Sequence, residues 1–453
     1  MPNVLKKYLP LFIIILSLGL VILFRIVFPW NSIFTENGVN FSGVDCYYYT
    51  HLADIISHNN LQIPKYDAYF DFPQGLDYTT LPSTFNAYGF FIAVLVWIFT
   101  LGNPTKLAVD LVGAIHPAVL GILALMPIFF ITRSITKNNL LSSCAVFVGA
   151  IMPGEYMGRA MLGTCDTHCL EIFLFSYAIM FTILALNDKG ISRIIYSLLS
   201  GATAGLYFMI WQGAILFLII LSIFACFWLM WSRIKGSADY DSIFMILSIE
   251  SVAILVYLIL SSGHIANSVV SLFAPLVLII AVLIYTFATQ KFNKWVYLTP
   301  IVIGVVGILG IAISIKFVGY SFYPQWFESS VLQALNLISW HYQTTTSEEL
   351  PLLITLGNVT TEIPWVYFSL SWYLTFVGIG LLIYYWIKKN DLNIFFLLSW
   401  TLFILLPTLA MRRFAYYFAI NAIIISTWSI WLLFKYTLSI YQPNQLVNKD
   451  KIK

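Results

Sequence analysis

Three polar segments interrupt an otherwise apolar sequence, and their residue types can do chemistry together: Gly43 to His51 (GVDCYYYTH), Arg159 to His168 (RAMLGTCDTH) and Leu356 to Trp365 (LGNVTTEIPW). Asp166 and His168 are separated by one residue, a spacing at which two side chains of a turn can point to a common centre that Asp45 can complete. Two carboxylates and one imidazole, with no obligatory thiolate, form a hard donor set. It suits Mg²⁺ or Mn²⁺, with positions left open for water and phosphate oxygens. Spacing alone leaves two other readings open. Asp166 can cap the helix that follows, with His168 on its first turn. Cys165, His168 and Cys169 can act as soft zinc ligands, a set without an identifiable fourth member.

Arg159 and the Arg412–Arg413 pair place guanidinium forks at the boundaries of apolar runs. Such forks match a lipid-linked phosphate through charge-assisted hydrogen bonds, or anchor the chain to ordinary lipid head groups. Glu362 precedes Ile363-Pro364-Trp365 at the end of a long loop, from which it can reach a metal or an acceptor; the alternative is plain solvation. Two more charges fall inside apolar runs. Arg25 lies near enough to a span end to snorkel, so only Glu250 would support a transport reading. That reading lacks paired Gly/Pro-broken half-helices and an internal repeat. The sequons Asn40-Phe41-Ser42 and Asn358-Val359-Thr360 are too short to decide anything.

The elements that must position these groups are membrane helices. The chain has 453 residues, 60% hydrophobic and 9% charged, where a soluble domain carries about 25% charged residues. This predicts an all-α, polytopic integral membrane protein and excludes a water-soluble enzyme. Lys and Arg number 23 against 20 Asp and Glu, too even a balance for a nucleic-acid partner. Five cysteines give no disulfide framework. The N-terminal apolar run has no small-residue cleavage site and reads as a retained first span.

Runs of spanning length lie near 8–29, 108–132, 138–153, 169–187, 194–209, 211–231, 242–262, 267–289, 295–315, 366–387, 393–411 and 414–434. A further run at 84–101 is long enough to cross, but if it did, most Lys and Arg of the later loops would fall outside. Twelve spans follow, with both termini cytoplasmic and 84–101 an embedded or surface helix. A membrane domain is expected over 1–435, with external loops at about 30–107 and 316–365 and a cytoplasmic tail over 436–453. All three polar segments then share the outer face of the cell membrane.

Taken in order, the segments resemble the catalytic subunit of oligosaccharyltransferase, the membrane family that moves a glycan from a lipid (pyro)phosphate carrier to asparagine. Asp45-Cys46-Tyr47-Tyr48-Tyr49 is similar to its first-loop acid followed by tyrosines. Arg159, Gly163, Asp166 and His168 reproduce R-x-x-x-G-x-x-D-x-[D/E/H], in the D-x-H form of the archaeal branch. Val359-Thr360-Thr361-Glu362 loosely fits the short [T/S]-[I/V]-x-E signature, and Arg413-Phe414 fits an Arg-Phe pair at a late span.

The resemblance implies that Asp45, Asp166 and His168 hold the divalent metal and that Glu362, with Asp45, activates the acceptor amide. It assigns Arg159 and Arg413 to the lipid-linked phosphate. The family continues into a thirteenth span and an external domain with W-W-D-Y-G, and this sequence has no adjacent Trp pair. The expected function is therefore metal-dependent transfer of a lipid-linked oligosaccharide to an acceptor polypeptide, with a separate subunit as one source of sequon recognition. Transfer to a non-asparagine acceptor, and non-catalytic binding or transport of lipid-linked glycans, are the rival readings.

Overall fold

Within lipid an apolar run finds no outside partner for its backbone N–H and C=O groups, so each run must satisfy them internally as a helix. The computed structural model describes residues 3–81, 83–261, 269–318, 347–355 and 358–441. In chain order the longer helices are α1 (Asn3–Ile22), α2 (Val44–His58), α3 (Ser83–Thr100), α4 (Lys106–Leu123), α5 (Leu125–Thr136), α6 (Asn139–Ala150), α7 (Thr167–Asn187) and α8 (Gly190–Ile210). There follow α9 (Ile215–Ile234), α10 (Tyr240–Leu260), α11 (Val269–Ala288), α12 (Thr299–Val318), α13 (Glu362–Phe368), α14 (Leu370–Lys389), α15 (Leu392–Ala410) and α16 (Ala415–Tyr441). Among the described residues three pairs of two-residue antiparallel strands punctuate the loops, joining Phe34–Thr35 to Gly38–Val39, Tyr66–Asp67 to Leu76–Asp77 and Ile354–Thr355 to Asn358–Val359.

Among the described residues nine helices are long and apolar enough to cross a membrane. Of the expected runs, 138–153 forms a shorter apolar helix, Asn139–Ala150, while 267–289 and 295–315 fall on the 20-residue helices α11 and α12. For the first the reason is local. Asn138 caps α6 by accepting from the Leu140 and Leu141 N–H groups, and the chain leaves the helix at Ile151. Twelve helical residues rise only about 18 Å, well under a bilayer core of roughly 30 Å. The run at 84–101 forms α3, whose Trp97 indole donates to the Ser57 carbonyl of α2 at 2.9 Å. Most of the second long loop, 319–346, lies outside the described residues, as do Leu356 and Gly357 of the third polar segment and residues 442–453 of the expected tail.

Small residues let the central helices approach. A Cβ at Gly201 or Gly205 of α8 would come within 2.7 Å of the Ile249 or Ala253 carbonyl of α10, the kind of close contact that organises helices in lipid. Phe175 of α7, Trp400 of α15 and Tyr417 of α16 meet in the core. Arg25 does not snorkel. It sits in a π-helical turn, Leu23–Val27, is 1% exposed, and donates inward to the Ala160 and Tyr156 carbonyls at 3.0 and 3.1 Å. Its own carbonyl accepts from Leu162 N–H at 2.8 Å. The buried charge thus clamps the loop that carries Arg159.

Candidate functional site

Asp45 lies on the first turn of α2, where the free N–H groups of a helix start favour a carboxylate. The residues before it are tied to the Arg159 segment, because Ser42 donates to the Gly163 carbonyl through both its N–H (3.1 Å) and its hydroxyl (3.0 Å). Gly163 has φ +81°, and a Cβ there would run into the Ile33 side chain, so only glycine makes this junction. Three residues on, Asp166 divides its carboxylate. Oδ1 accepts from the Thr167 N–H at 2.6 Å as the N-cap of α7, while Oδ2 faces His168 Nε2 at 3.4 Å. Cap and ligand are compatible, one oxygen for each.

His168 is buried with its Nε2 turned to the site, 3.9 Å from Glu348 Oε2, while Nδ1 faces Tyr416 Oη at 3.2 Å and Glu171 at 3.3 Å. Glu348 comes from the far loop, on the short turn Ser347–Glu349. Arg159 donates to Glu348 and, through Nε, to Glu155 at 2.5 Å, with Asp166 Oδ2 3.9 Å from Nη1. Its guanidinium is therefore engaged by acids as well as placed near the centre. Arg413 stands over the Trp211 ring at 5.2 Å, and among the described residues its buried Nε has no hydrogen-bond partner. Arg412 serves a different end. Its backbone N–H donates to the Leu350 carbonyl (2.9 Å), and its side chain donates to the Pro351 (3.2 Å) and Ile354 (2.9 Å) carbonyls, which holds the segment after Glu348 against α15.

The charges of these groups reach one another. Burial, then repulsion from Asp166 and Glu348, pushes the Asp45 carboxyl up, against the pull of His168 and Arg159. For Glu348 burial also pushes up, but Arg159, His168 and Arg413 outweigh it and hold the carboxyl below its ordinary value. Crowded acids of this kind gain from a hard cation. Neighbouring ligands on an octahedral ion at about 2.1 Å lie roughly 3 Å apart, close to the Asp166 Oδ2–His168 Nε2 separation. Among the described residues no trio of His, Cys, Asp or Glu is already drawn in to ligating geometry. The donor chemistry of Asp45, Asp166, His168 and Glu348 suits a hard divalent ion. For the softer zinc set, Cys169 spends its thiol hydrogen on the Asp166 carbonyl at 3.1 Å, and burial pushes the Cys165 thiol well up.

Glu362 is placed differently. It opens α13, is exposed, and its N–H donates to Thr360 Oγ1 at 3.1 Å. Among the described residues no hydrogen bond or ion pair joins its carboxylate to Asp166, His168 or Glu348. Glu348 is the acid that sequence alone leaves among solvated loop residues. A signal existed, since Thr345-Thr346-Ser347-Glu348 has the same hydroxyl-x-x-Glu spacing as the signature assigned to Glu362.

Comparison with known proteins bears on this arrangement. Residues 14–445 match the family model described as oligosaccharyl transferase STT3, N-terminal. The chain is 26% identical over 449 residues to dolichyl-phosphooligosaccharide-protein glycotransferase 3 of Archaeoglobus fulgidus, covering 95% of this chain and 51% of that one. It is 26% identical over 212 residues to a Methanococcus voltae dolichyl-phosphooligosaccharide-protein glycotransferase, covering 42% of this chain and 22% of the relative. Its fold is similar to the archaeal oligosaccharyltransferase AglB of Archaeoglobus fulgidus in complex with an inhibitory peptide and a dolichol-phosphate. The TM-score is 0.77 at 22% identity, over 98% of this chain and 52% of that one. A structure of the Archaeoglobus fulgidus oligosaccharyltransferase with Zn and sulfate matches with a TM-score of 0.69 at 20% identity, over 97% of this chain and 51% of that one. The chain spans about half the length of the Archaeoglobus relatives it matches.

Proposed function

The chain belongs to the oligosaccharyl transferase STT3 family, and from that premise we propose that it is a membrane glycosyltransferase. It takes a glycan from a polyprenyl (pyro)phosphate carrier and transfers it to a protein asparagine at the outer membrane face. The observation that carries this reading is convergence. Asp166 and Glu348, from distant stretches of sequence, both face His168 Nε2, at 3.4 and 3.9 Å, and Ser42 ties the turn before Asp45 to Gly163 of the same loop as Asp166. The outward orientation is supported by the basic residues, most of which gather on the opposite side when 84–101 does not cross. The relatives' association with dolichol-phosphate and peptide supports the donor and acceptor classes.

Asp45, Asp166, His168 and Glu348 would hold Mg²⁺ or Mn²⁺, whose Lewis acidity stabilises the departing phosphate. The chain's own groups do the rest. Arg413, whose Nε has no hydrogen-bond partner among the described residues, offers its guanidinium to a phosphate oxygen, and Arg159 orients Glu348 while adding positive charge beside it. Asp45 and Glu362 act on the acceptor side, accepting hydrogen bonds from the amide N–H₂ so that its nitrogen lone pair is less tied to the carbonyl.

Turnover of a lipid-linked oligosaccharide in proteoliposomes, followed as loss of donor, tests the reading whatever the acceptor is. Donor loss should require Mn²⁺ or Mg²⁺, stop with chelator and fall by roughly 100-fold or more in Asp166→Asn. Turnover that ignores chelator and survives that substitution rejects it.

A further inference from the structure

Glu171 falls outside the Asp-x-His pattern, yet it is the residue most tightly built into the ground behind the site. It lies on the first turns of α7, one turn from His168, and is fully buried. Its carboxylate is saturated. Oε1 accepts from Thr167 Oγ1 at 2.7 Å and faces His168 Nδ1 at 3.3 Å, while Oε2 accepts from the Tyr416 and Tyr417 hydroxyls at 2.7 and 2.8 Å. Tyr207 of α8 donates in turn to Tyr417. One acid therefore joins α7, α8 and α16.

A count of hydrogens fixes the imidazole. Tyr416 has a single hydroxyl hydrogen and gives it to Glu171, so towards His168 Nδ1 its oxygen can only accept. The carboxylate likewise only accepts. Nδ1, facing two acceptors, must carry a ring hydrogen whether or not an ion is bound; Nε2 faces the Asp166 Oδ2 and Glu348 Oε2 acceptors, so its hydrogen is the one given up when a cation seats among these groups. We propose that Glu171 is a positioning residue that sets the tautomer and ring orientation of His168 so that Nε2 serves as a metal ligand. This role rests on the site being a metal centre. A carboxylate behind a ligating imidazole commonly governs metal affinity.

Mn²⁺ titration of the full chain in detergent, read by EPR, tests the role without relying on turnover. Glu171→Gln keeps the volume but has one acceptor oxygen; with that oxygen held by the tyrosines, its N–H₂ faces Nδ1 and drives the ring hydrogen to Nε2. Mn²⁺ affinity should fall about 10–100-fold while the chain stays folded. Tyr416→Phe leaves the carboxylate facing Nδ1 and should lower affinity by no more than about tenfold, the lower end of that range. A folded Glu171→Gln chain with wild-type affinity overturns the assignment, and so does Tyr416→Phe with the larger loss. If Glu171→Gln does not fold, histidine-nitrogen NMR of the wild-type chain serves in its place, and a His168 ring without a hydrogen on Nδ1 overturns the assignment. A wild-type chain that binds no Mn²⁺ overturns the metal reading itself, an outcome distinct from retention in the variant.

Discussion

Among the described residues two glutamates are fully buried in spanning helices, and they are opposites. Glu171 of α7 has three donors on its carboxylate and an imidazole beside it. Glu250 of α10 has one donor, Ser222 Oγ at 2.8 Å, and among the described residues its Oε2 has no hydrogen-bond partner. Burial is the same in both, so burial does not distinguish a working acid from an isolated one. The partner set does. A carboxylate surrounded by donors can stay charged and hold other groups in place, whereas one with a single hydroxyl is costly to keep as an anion. This contrast is why the functional reading gathers around α7 and does not extend to a transport path through α10.

The contrast is most easily broken by removing both acids in turn. Glu171→Leu should lower Mn²⁺ affinity by about 10–100-fold and destabilise the chain by about 3–5 kcal/mol, since it leaves the hydroxyl donors of Thr167, Tyr416 and Tyr417 without their acceptor. Glu250→Leu should leave Mn²⁺ binding intact and the thermal midpoint unchanged or higher. Comparable loss of binding in both would erase the distinction. Next in size, Glu348→Gln should weaken Mn²⁺ binding by about tenfold or more, while Glu362→Gln should spare it and lower transfer to acceptor; the reverse ranking would exchange their roles.

A smaller, graded effect is expected with pH. Because the Asp45 carboxyl is raised, it takes up a proton above the ordinary aspartate range, and a protonated ligand binds a cation poorly. Mn²⁺ affinity should therefore begin to fall, on acidification, at a higher pH than an ordinary aspartate would give. The linked stability runs in opposite senses. A raised folded-state carboxyl favours the folded chain at low pH, and this contribution is lost as pH rises through its folded value. The lowered Glu348 contributes above its unfolded value and is lost on acidification through its folded one. Asp45→Asn should remove the first trend and Glu348→Gln the second, as read from thermal midpoints across pH.

The helices were legible because apolar runs in lipid have one way to satisfy their backbones, although the run at 138–153 gave a helix of only 12 residues between its Asn138 cap and Ile151. That Asp166 and His168 face each other was legible in their spacing of one intervening residue. Glu348 was not, since an acid in a long polar loop looks solvated until Arg159 is seen to hold it. Nor did adjacency separate Arg412 from Arg413: one donates to the carbonyls of 350–354, the other stands over Trp211. Arg25 escaped sequence reasoning for a related cause. Snorkelling follows from position in a span, but the inward turn depends on the Tyr156 and Ala160 carbonyls that tertiary structure brings to it.

Pulsed EPR of Mn²⁺ bound to the chain, with histidine nitrogen labelled, addresses the central claim most directly. The account predicts a single bound ion with hyperfine coupling to one imidazole nitrogen, lost in His168→Ala, and no tight binding in Asp45→Asn or Asp166→Asn. Mn²⁺ held without imidazole coupling, or held equally well by both aspartate variants, would contradict it.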